Sequence, residues 1–364
     1  MQEALVVETN HVVSPGVPVE RAVESRLLGF DIDRTAFGSQ MSDHMLVADY
    51  AEGAWGEARI VPQGSMPLSP GISALQYGLS VFEGMKAHRS PAGDVLLFRP
   101  EMNARRLARS AERLAMPPLP PERFLAWLRA LLAVDAAWVP PGDRGALYIR
   151  PCLFSTDPSI RVKPAEAYRF VVFTFPFAAY YAAPIDVYAT ERFVRAFPGG
   201  TGDIKAAGNY AAAFLAEREA AALGCHATLW LDGVARTHVE ECGVMNVFFV
   251  IDGEVYTPPL GGTILAGVTR DSTIALLRDR GHAVHEAPIT MEEIARAHDR
   301  GALEECFGTS TATTVSHIRR IRWRDRDLTL PPVEGRRIGP AVRERLVAVA
   351  TGRAPDPHGW VVRL

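Results

Sequence analysis

Alternating apolar and polar positions over His44–Tyr50 and Trp55–Ile60, joined at Ala51–Ala54, predict a β-hairpin. Residues 99–114 carry helical spacing, with Met102, Ala108, Ala111 and Leu114 as the predicted buried stripe. A second helix is predicted over 121–137, burying Phe124, Leu128, Leu131 and Leu132. Strands follow at Leu147–Phe154 and Tyr168–Phe175. Residues 177–186 contain Pro184 and show no period, so they are read as a linker between a small domain (1–176) and a larger one (187–364). In the second half a strand at Val187–Thr190 precedes a glycine-rich loop and a helix over 209–223. Strands at Thr228–Leu231, Asn246–Ile251 and Glu254–Thr257 come next, the last two joined at Asp252-Gly253, a dipeptide that suits a tight hairpin. A helix over 269–280 follows, and Thr290-Met291-Glu292-Glu293 fits a capping box that opens another. Strands and helices mixed in both halves predict a mixed α/β (α+β) protein.

Composition narrows the chemistry. The 364 residues include 39 basic and 42 acidic side chains, net −3, with no basic block of the kind nucleic-acid binding requires. No uninterrupted apolar run reaches membrane-spanning length, and the N-terminal residues lack the apolar core of a signal peptide, so a cytoplasmic protein is expected. Cys152, Cys225, Cys242 and Cys306 are scattered without metal-site spacing, which favours a reducing compartment and no metal. Lysines number only three (Lys86, Lys163, Lys205) against 36 arginines, so lysine-dependent chemistry has few candidates.

Several segments carry possible chemistry, each with an ordinary alternative. Gly308-Thr309-Ser310-Thr311-Ala312 nearly fits a serine nucleophile elbow, but that motif needs a strand–turn–helix setting and a distant His/acid pair. His282 and His285 face opposite sides of an alternating strand, which argues against a metal pair. Lys205 sits in GGTGDIKAAGNY. Small neighbours let a bulky group approach, and a desolvated amine suits covalent catalysis. On composition alone a solvated lysine in a glycine-rich loop is the default. The loop PPLGGTILAGVTR leads into a helix whose free N–H groups would suit a phosphate, or form a plain loop–helix junction. Tyr148 and Arg150 share one strand face, as a carboxylate clamp or a surface pair. Glu241 precedes a buried strand as a cofactor partner or an exposed acid. The arginines at 106, 109 and 113 read as a solvated stripe.

Taken together, DHMLVADY, LQYGLSVFEGMKAHR, LFRPEMNARRLARSAERL, LYIRPCLFSTDPS, GGTGDIKAAGNY, EECGVMNVFFV, TPPLGGTILAGVTR and FGTSTA resemble the branched-chain amino acid aminotransferases, in order and spacing from about Asp43 to Arg320. These are pyridoxal-phosphate enzymes of fold type IV, and the layout is closer to the mammalian-type branch. The resemblance implies two domains with pyridoxal 5′-phosphate between them. It implies that Lys205 carries the cofactor and moves the substrate proton, that Glu241 pairs with the pyridine nitrogen, and that Tyr210 bonds the phenolic oxygen. Arg106, Val268, Thr269 and Thr311 are the implied phosphate cup. Tyr77, Tyr148, Arg150 and backbone near Ala312 are implied to hold the substrate carboxylate. Phe37, Phe82 and Tyr180 are implied walls of the side-chain pocket, and a partner subunit's Ile160–Val162 loop finishes it, so a homodimer is expected.

The chain departs from the family pattern at Val244, where relatives carry a threonine near the substrate carboxylate. It also departs at Ala206-Ala207, at Met41 in place of an aromatic, and at Thr313 and Ser316 in place of a redox-active cysteine pair. The reaction implied is amino-group transfer from a branched aliphatic L-amino acid (leucine, isoleucine, valine) to a 2-oxo acid such as 2-oxoglutarate. The alternatives are a same-fold transaminase for an unusual amino acid, a lyase of the same fold, and a non-catalytic scaffold. Tyr148 and Arg150 speak against the lyase, and Lys205, Tyr210 and Glu241 against the scaffold.

Overall fold

A computed structural model describes residues 16–142, 144–181 and 183–364. Two sheets of nine strands each organise them. The first is antiparallel throughout its pairings and runs, in spatial order, Val361–Arg363, Val95–Phe98, Met85–Arg89, Ala146–Ser155, Tyr168–Phe177, His44–Ala51 and Ala54–Trp55, with Arg59–Pro62 and Ser80–Phe82 branching off. The second is mixed. Ile185–Thr190 lies parallel to both Ala227–Leu231 and Thr314–Trp323, while Met245–Ile251 and Leu303–Ser310 pair antiparallel at its centre. The α+β expectation holds.

The predicted hairpin forms with Tyr50 opposite Trp55, but its second arm breaks into two short strands around Gly56. The Pro121–Val134 helix buries all four apolar residues expected of it. The Pro100–Arg113 helix does not follow its predicted stripe. Of the four residues expected inside, only Ala111 is fully buried, and the inward face is Asn103, Ala104, Arg106, Leu107, Ser110 and Ala111. Half of that face is polar because Asn103 and Arg106 donate to the buried Glu83 and Ser110 accepts from Lys205 N–H, so an apolar stripe alone misplaces it by a fraction of a turn. The 209–223 helix divides into Gly208–Ala211 and Phe214–Ala222. Glu254–Thr257, the Asp252-Gly253 turn with both φ positive, and the Thr290–Glu293 capping box are as predicted.

The chain passes between the sheets from Phe177 to Ile185, and its last strand, Val361–Arg363, returns to pair with Val95–Phe98 in the first sheet. A short pairing also joins them near Lys205. Phe82 N–H donates to the Lys205 carbonyl at 3.1 Å, and Ala207 N–H donates to the Ser80 carbonyl at 3.0 Å. The lysine's backbone is thereby clamped to the first sheet although it belongs to the second half of the sequence.

Candidate active site

Between the sheets lies a cleft of about 480 Å³, within the usual range for small-molecule sites. Its wall draws on both halves of the chain, which leaves Phe82, Tyr148 and Arg150 facing Lys205, Tyr210, Val244 and Thr311. Glycine makes two close approaches possible. A Cβ on Gly84 would overlap the Tyr148 hydroxyl, and one on Gly267 would overlap the Asn246 carboxamide oxygen.

Lys205 Nζ donates to the Tyr210 hydroxyl at 2.8 Å and stands 4.9 Å from the centroid of the Phe82 ring. Its loop is braced from below, where Asn209 donates to the Thr201 and Ile204 carbonyls. Glu241 lies beneath the cleft, 4 % exposed. One carboxylate oxygen accepts from Leu265 N–H at 2.9 Å and the Asn246 amide at 3.2 Å, and the other lies 2.9 Å from Arg195 Nε. Burial pushes the Glu241 carboxyl up, and the Arg195 charge and the Leu265 N–H oppose that push.

One corner is built for an anion. Gly267 opens the Val268–Asp279 helix with no side-chain cap, so its first N–H groups, at Val268 and Thr269, face the cleft beside Thr311. Arg106 turns inward here, contrary to the solvated-stripe reading. Its Nε and Nη2 grip Glu83 at 2.6 and 2.9 Å, and its Nη1 donates to the Ala266 carbonyl at 2.8 Å. Burial raises Glu83's carboxyl, but the Arg106 charge and hydrogen bonds outweigh it and hold the group below the usual range. Sequence reasoning missed Glu83, although FEGMK places it three residues before a lysine and between two strands.

A second polar group faces the opposite corner. The Arg150 guanidinium stacks 4.8 Å from the Phe82 ring centroid, and its Nη2 lies 3.4 Å from the Tyr148 hydroxyl. Its Nε is buried without a partner, and it pairs with no carboxylate among the described residues. Phe37 centres an aromatic cage, packing edge-on against Tyr148, Phe175, Phe177 and Tyr180. Met41 packs against this cluster from outside the cleft wall, and Ala312 borders both. Val244 also faces the cleft.

Tyr77 is the exception. The five-residue Ser73–Tyr77 helix stops at Gly78 in left-handed conformation and carries Tyr77 away from this chain's cleft. There its hydroxyl donates to the Ile160 carbonyl at 2.9 Å. Tyr77, Ile160 and Val162 form an exposed group on the surface.

The other candidates fall away. Ser310 ends a strand that turns into another strand, so the nucleophile-elbow geometry is absent. His285 stacks on Tyr256 and contacts Glu254 at 3.0 Å, and no metal-holding cluster occurs among the described residues.

Behind the anion corner a small cavity of about 50 Å³ shares Val268, Thr269 and Thr311 with the cleft and contains Lys86. Lys86 Nζ donates to Thr314 Oγ1 at 3.1 Å and has no acidic partner among the described residues. Thr314 holds φ +60°, a strained value for a β-branched residue. Burial, with Arg343 nearby, lowers the Lys86 amine to about 7. The folded state therefore holds fewer protons than the unfolded chain between that value and the ordinary lysine range. Lys86→Met is expected to raise the melting temperature most at about pH 6, with the gain fading towards about pH 10. Melting curves at the two values check this; a gain independent of pH would mean that the amine is solvated.

The residues fit a phosphorylated pyridine. An uncapped helix end with Arg106 beside it could hold the anion, Glu241 offers a buried carboxylate for a ring nitrogen, and Lys205 offers an amine within the cleft. Comparison with known proteins agrees. The amino-transferase class IV family matches residues 80–321. A branched-chain-amino-acid aminotransferase of Mycobacterium tuberculosis is 42 % identical over 337 residues, covering 90 % of this chain and 92 % of the relative. Its counterpart in Mycolicibacterium smegmatis is 39 % identical over 356 residues, covering 95 % and 96 %. Among solved structures, the Escherichia coli branched-chain amino acid aminotransferase superposes with a TM-score of 0.71 at 26 % identity, covering 88 % of this chain and 98 % of that one. An aminotransferase from Brucella abortus bound to the cofactor PLP shares the fold, with a TM-score of 0.65 at 24 % identity over 84 % and 99 % of the two chains. By family match, coverage and fold, the chain belongs to the class IV aminotransferases, in their branched-chain-amino-acid group.

Proposed function

We propose that this enzyme exchanges an amino group between leucine, isoleucine or valine and a 2-oxo acid such as 2-oxoglutarate, using pyridoxal 5′-phosphate. The observation that carries the reading is Lys205 Nζ, 2.8 Å from Tyr210, inside a cleft that presents both an anion corner and an acid-free arginine. When bound, the pyridoxal group supplies the electron sink that makes the substrate Cα–H acidic. The protein then has four tasks. Lys205 would hold the cofactor and would serve as the base that moves the substrate's Cα proton. Glu241 would hold the proton on the ring nitrogen, and Tyr210 would hold the phenolic oxygen. Arg106, Thr311 and the N–H groups of Val268 and Thr269 would hold the phosphate. Arg150 and Tyr148, with backbone near Ala312, would receive the substrate carboxylate, while Phe37, Phe82 and Tyr180 exclude water and pack a branched side chain.

The exposed Tyr77–Ile160–Val162 group supports a shared site in a homodimer. Too far out to serve its own cleft, it would serve the partner's. Sedimentation of the holoenzyme is expected to give a dimer at assay concentration, and an active monomer would reject it. The absence of a described helix long and apolar enough to cross a membrane is compatible with a cytoplasmic enzyme.

Val244 leaves the carboxylate region without a hydroxyl that would add about 0.5–1.5 kcal/mol. Arg150 and the backbone donors remain, so binding weakens without being lost. Mixing holoenzyme with single L-amino acids, without an oxo acid, tests the whole reading. Leucine, isoleucine and valine are expected to discharge the visible absorbance, and Val244→Thr to lower the Michaelis constant for leucine about threefold to tenfold. Inertness towards all three would instead favour a transaminase for an unusual amino acid.

A further inference from the structure

Arg195 is absent from every motif weighed above, yet its guanidinium meets three segments of the site at once. Its Nε lies 2.9 Å from a Glu241 carboxylate oxygen, an ion pair without hydrogen-bond alignment, and its Nη2 donates to the Gly202 carbonyl at 2.9 Å and to the Thr263 carbonyl. Gly202 lies three residues before Lys205, and Thr263 lies in the loop that leads to the anion corner. The approach is close, since a Cβ on Gly202 would overlap both the Ala196 side chain and the Thr263 carbonyl. The Arg195 and Glu241 side chains are only 9 % and 6 % exposed.

Glu240 is the neighbouring acid, also buried. It accepts from the Thr263 hydroxyl at 2.5 Å, and its second oxygen is left without a partner. One guanidinium thus stands near two buried carboxyls and contacts the one beneath the cleft. We infer that Arg195 is a positioning residue whose charge keeps Glu241 ionised for the cofactor's ring nitrogen, while its Nη2 locks the Lys205 loop to the phosphate-side loop.

The physical case rests on what Glu241 would be without it. Burial favours the neutral acid, and the Leu265 and Asn246 hydrogen bonds are neutral ones. Lys205 loses its free ammonium when it carries the cofactor, so Arg195 is then the full positive charge in contact with the carboxylate. A neutral Glu241 could hydrogen-bond the ring nitrogen but would leave it unprotonated, weakening the electron sink.

The inference rests on the assignment of Glu241 to the ring nitrogen, so the experiment includes a variant for each. Holoenzyme is loaded with pyridoxal 5′-phosphate labelled with ¹⁵N in the ring, and the nitrogen chemical shift is followed with pH for the native protein, Glu241→Gln, Arg195→Met and Arg195→Lys. Glu241→Gln is expected to move the shift towards the unprotonated value. Arg195→Met should move it the same way, with kcat down about tenfold and a smaller change in KM, as for loss of one charge-assisted contact. Arg195→Lys should restore the shift while recovering only part of the rate, because an ammonium keeps the charge but not the paired bonds to the Gly202 and Thr263 carbonyls. A native-like shift in Arg195→Met, with Glu241→Gln shifted, overturns the inference and leaves the assignment of Glu241 standing. A native-like shift in Glu241→Gln overturns that assignment itself. If Arg195→Met does not fold, Arg195→Gln is read by the same shift.

Discussion

Replacement of Lys205 by alanine is expected to lower turnover on the order of 10⁴-fold, the upper end of what a positioned base contributes. Lys205 Nζ is the amine inside the cleft, 2.8 Å from the Tyr210 hydroxyl. Lys86 lies behind the anion corner, bound to Thr314, and Lys163 pairs with Glu166 on the surface. Neither can reach the reacting atoms without moving the backbone. The fold should survive, because the Lys205 segment is fixed by backbone bonds to Ser80 and Phe82 that alanine retains. Borohydride reduction of the holoenzyme followed by peptide mapping should find the label on Lys205, and none in Lys205→Ala. Label on Lys86 or Lys163 would reject the assignment, as would turnover in the alanine variant within about tenfold of native.

Scarcity narrowed that choice to three lysines, and the resemblance rather than composition pointed to Lys205. Arginine gives the opposite case. With 36 in the chain, no count separates Arg195 or Arg106 from the rest; the family resemblance picks out Arg106, while Arg195 stands apart only through its buried neighbour Glu241. Periodicity located both helices, but gave the right inner face only for Pro121–Val134, where that face is wholly apolar; on Pro100–Arg113 it missed because Asn103, Arg106 and Ser110 take interior positions. The interior there is a site, and its polar members are paid for by Glu83, Gly84 and the Lys205 backbone. Tyr77 shows a third limit. The motif around it gives its type and spacing, but the left-handed turn at Gly78 follows it and its hydroxyl goes to the Ile160 carbonyl on the surface, which no spacing reveals.

The second large effect is expected at Glu83. This carboxylate is fully buried and accepts four hydrogen bonds, from Arg106 at 2.6 and 2.9 Å, Asn103 at 2.8 Å and its neighbour Gly84 at 3.0 Å. Glu83→Gln removes the charge and turns an amide towards the guanidinium, leaving Arg106 buried and uncompensated. Breaking such a pair costs about 3–5 kcal/mol. The variant should therefore melt well below the native protein and bind pyridoxal 5′-phosphate more weakly, because Arg106 loses the fork that aims it at the anion corner. Arg106→Met should be destabilising too, since it strands the carboxylate instead. Glu83→Met combined with Arg106→Met replaces both charges with apolar side chains of similar length, and such replacements are often close to neutral for stability. The double variant should then regain most of the stability lost in either single one, while cofactor affinity stays low. That separation is the informative result, because stability follows the pairing of the charges and affinity follows Arg106 itself. Denaturation midpoints and cofactor titrations on the four proteins measure both. If the double variant bound the cofactor as tightly as the native enzyme, Arg106 would be a structural ion-pair partner, and the phosphate would rest on the Val268–Asp279 helix terminus and Thr311 alone.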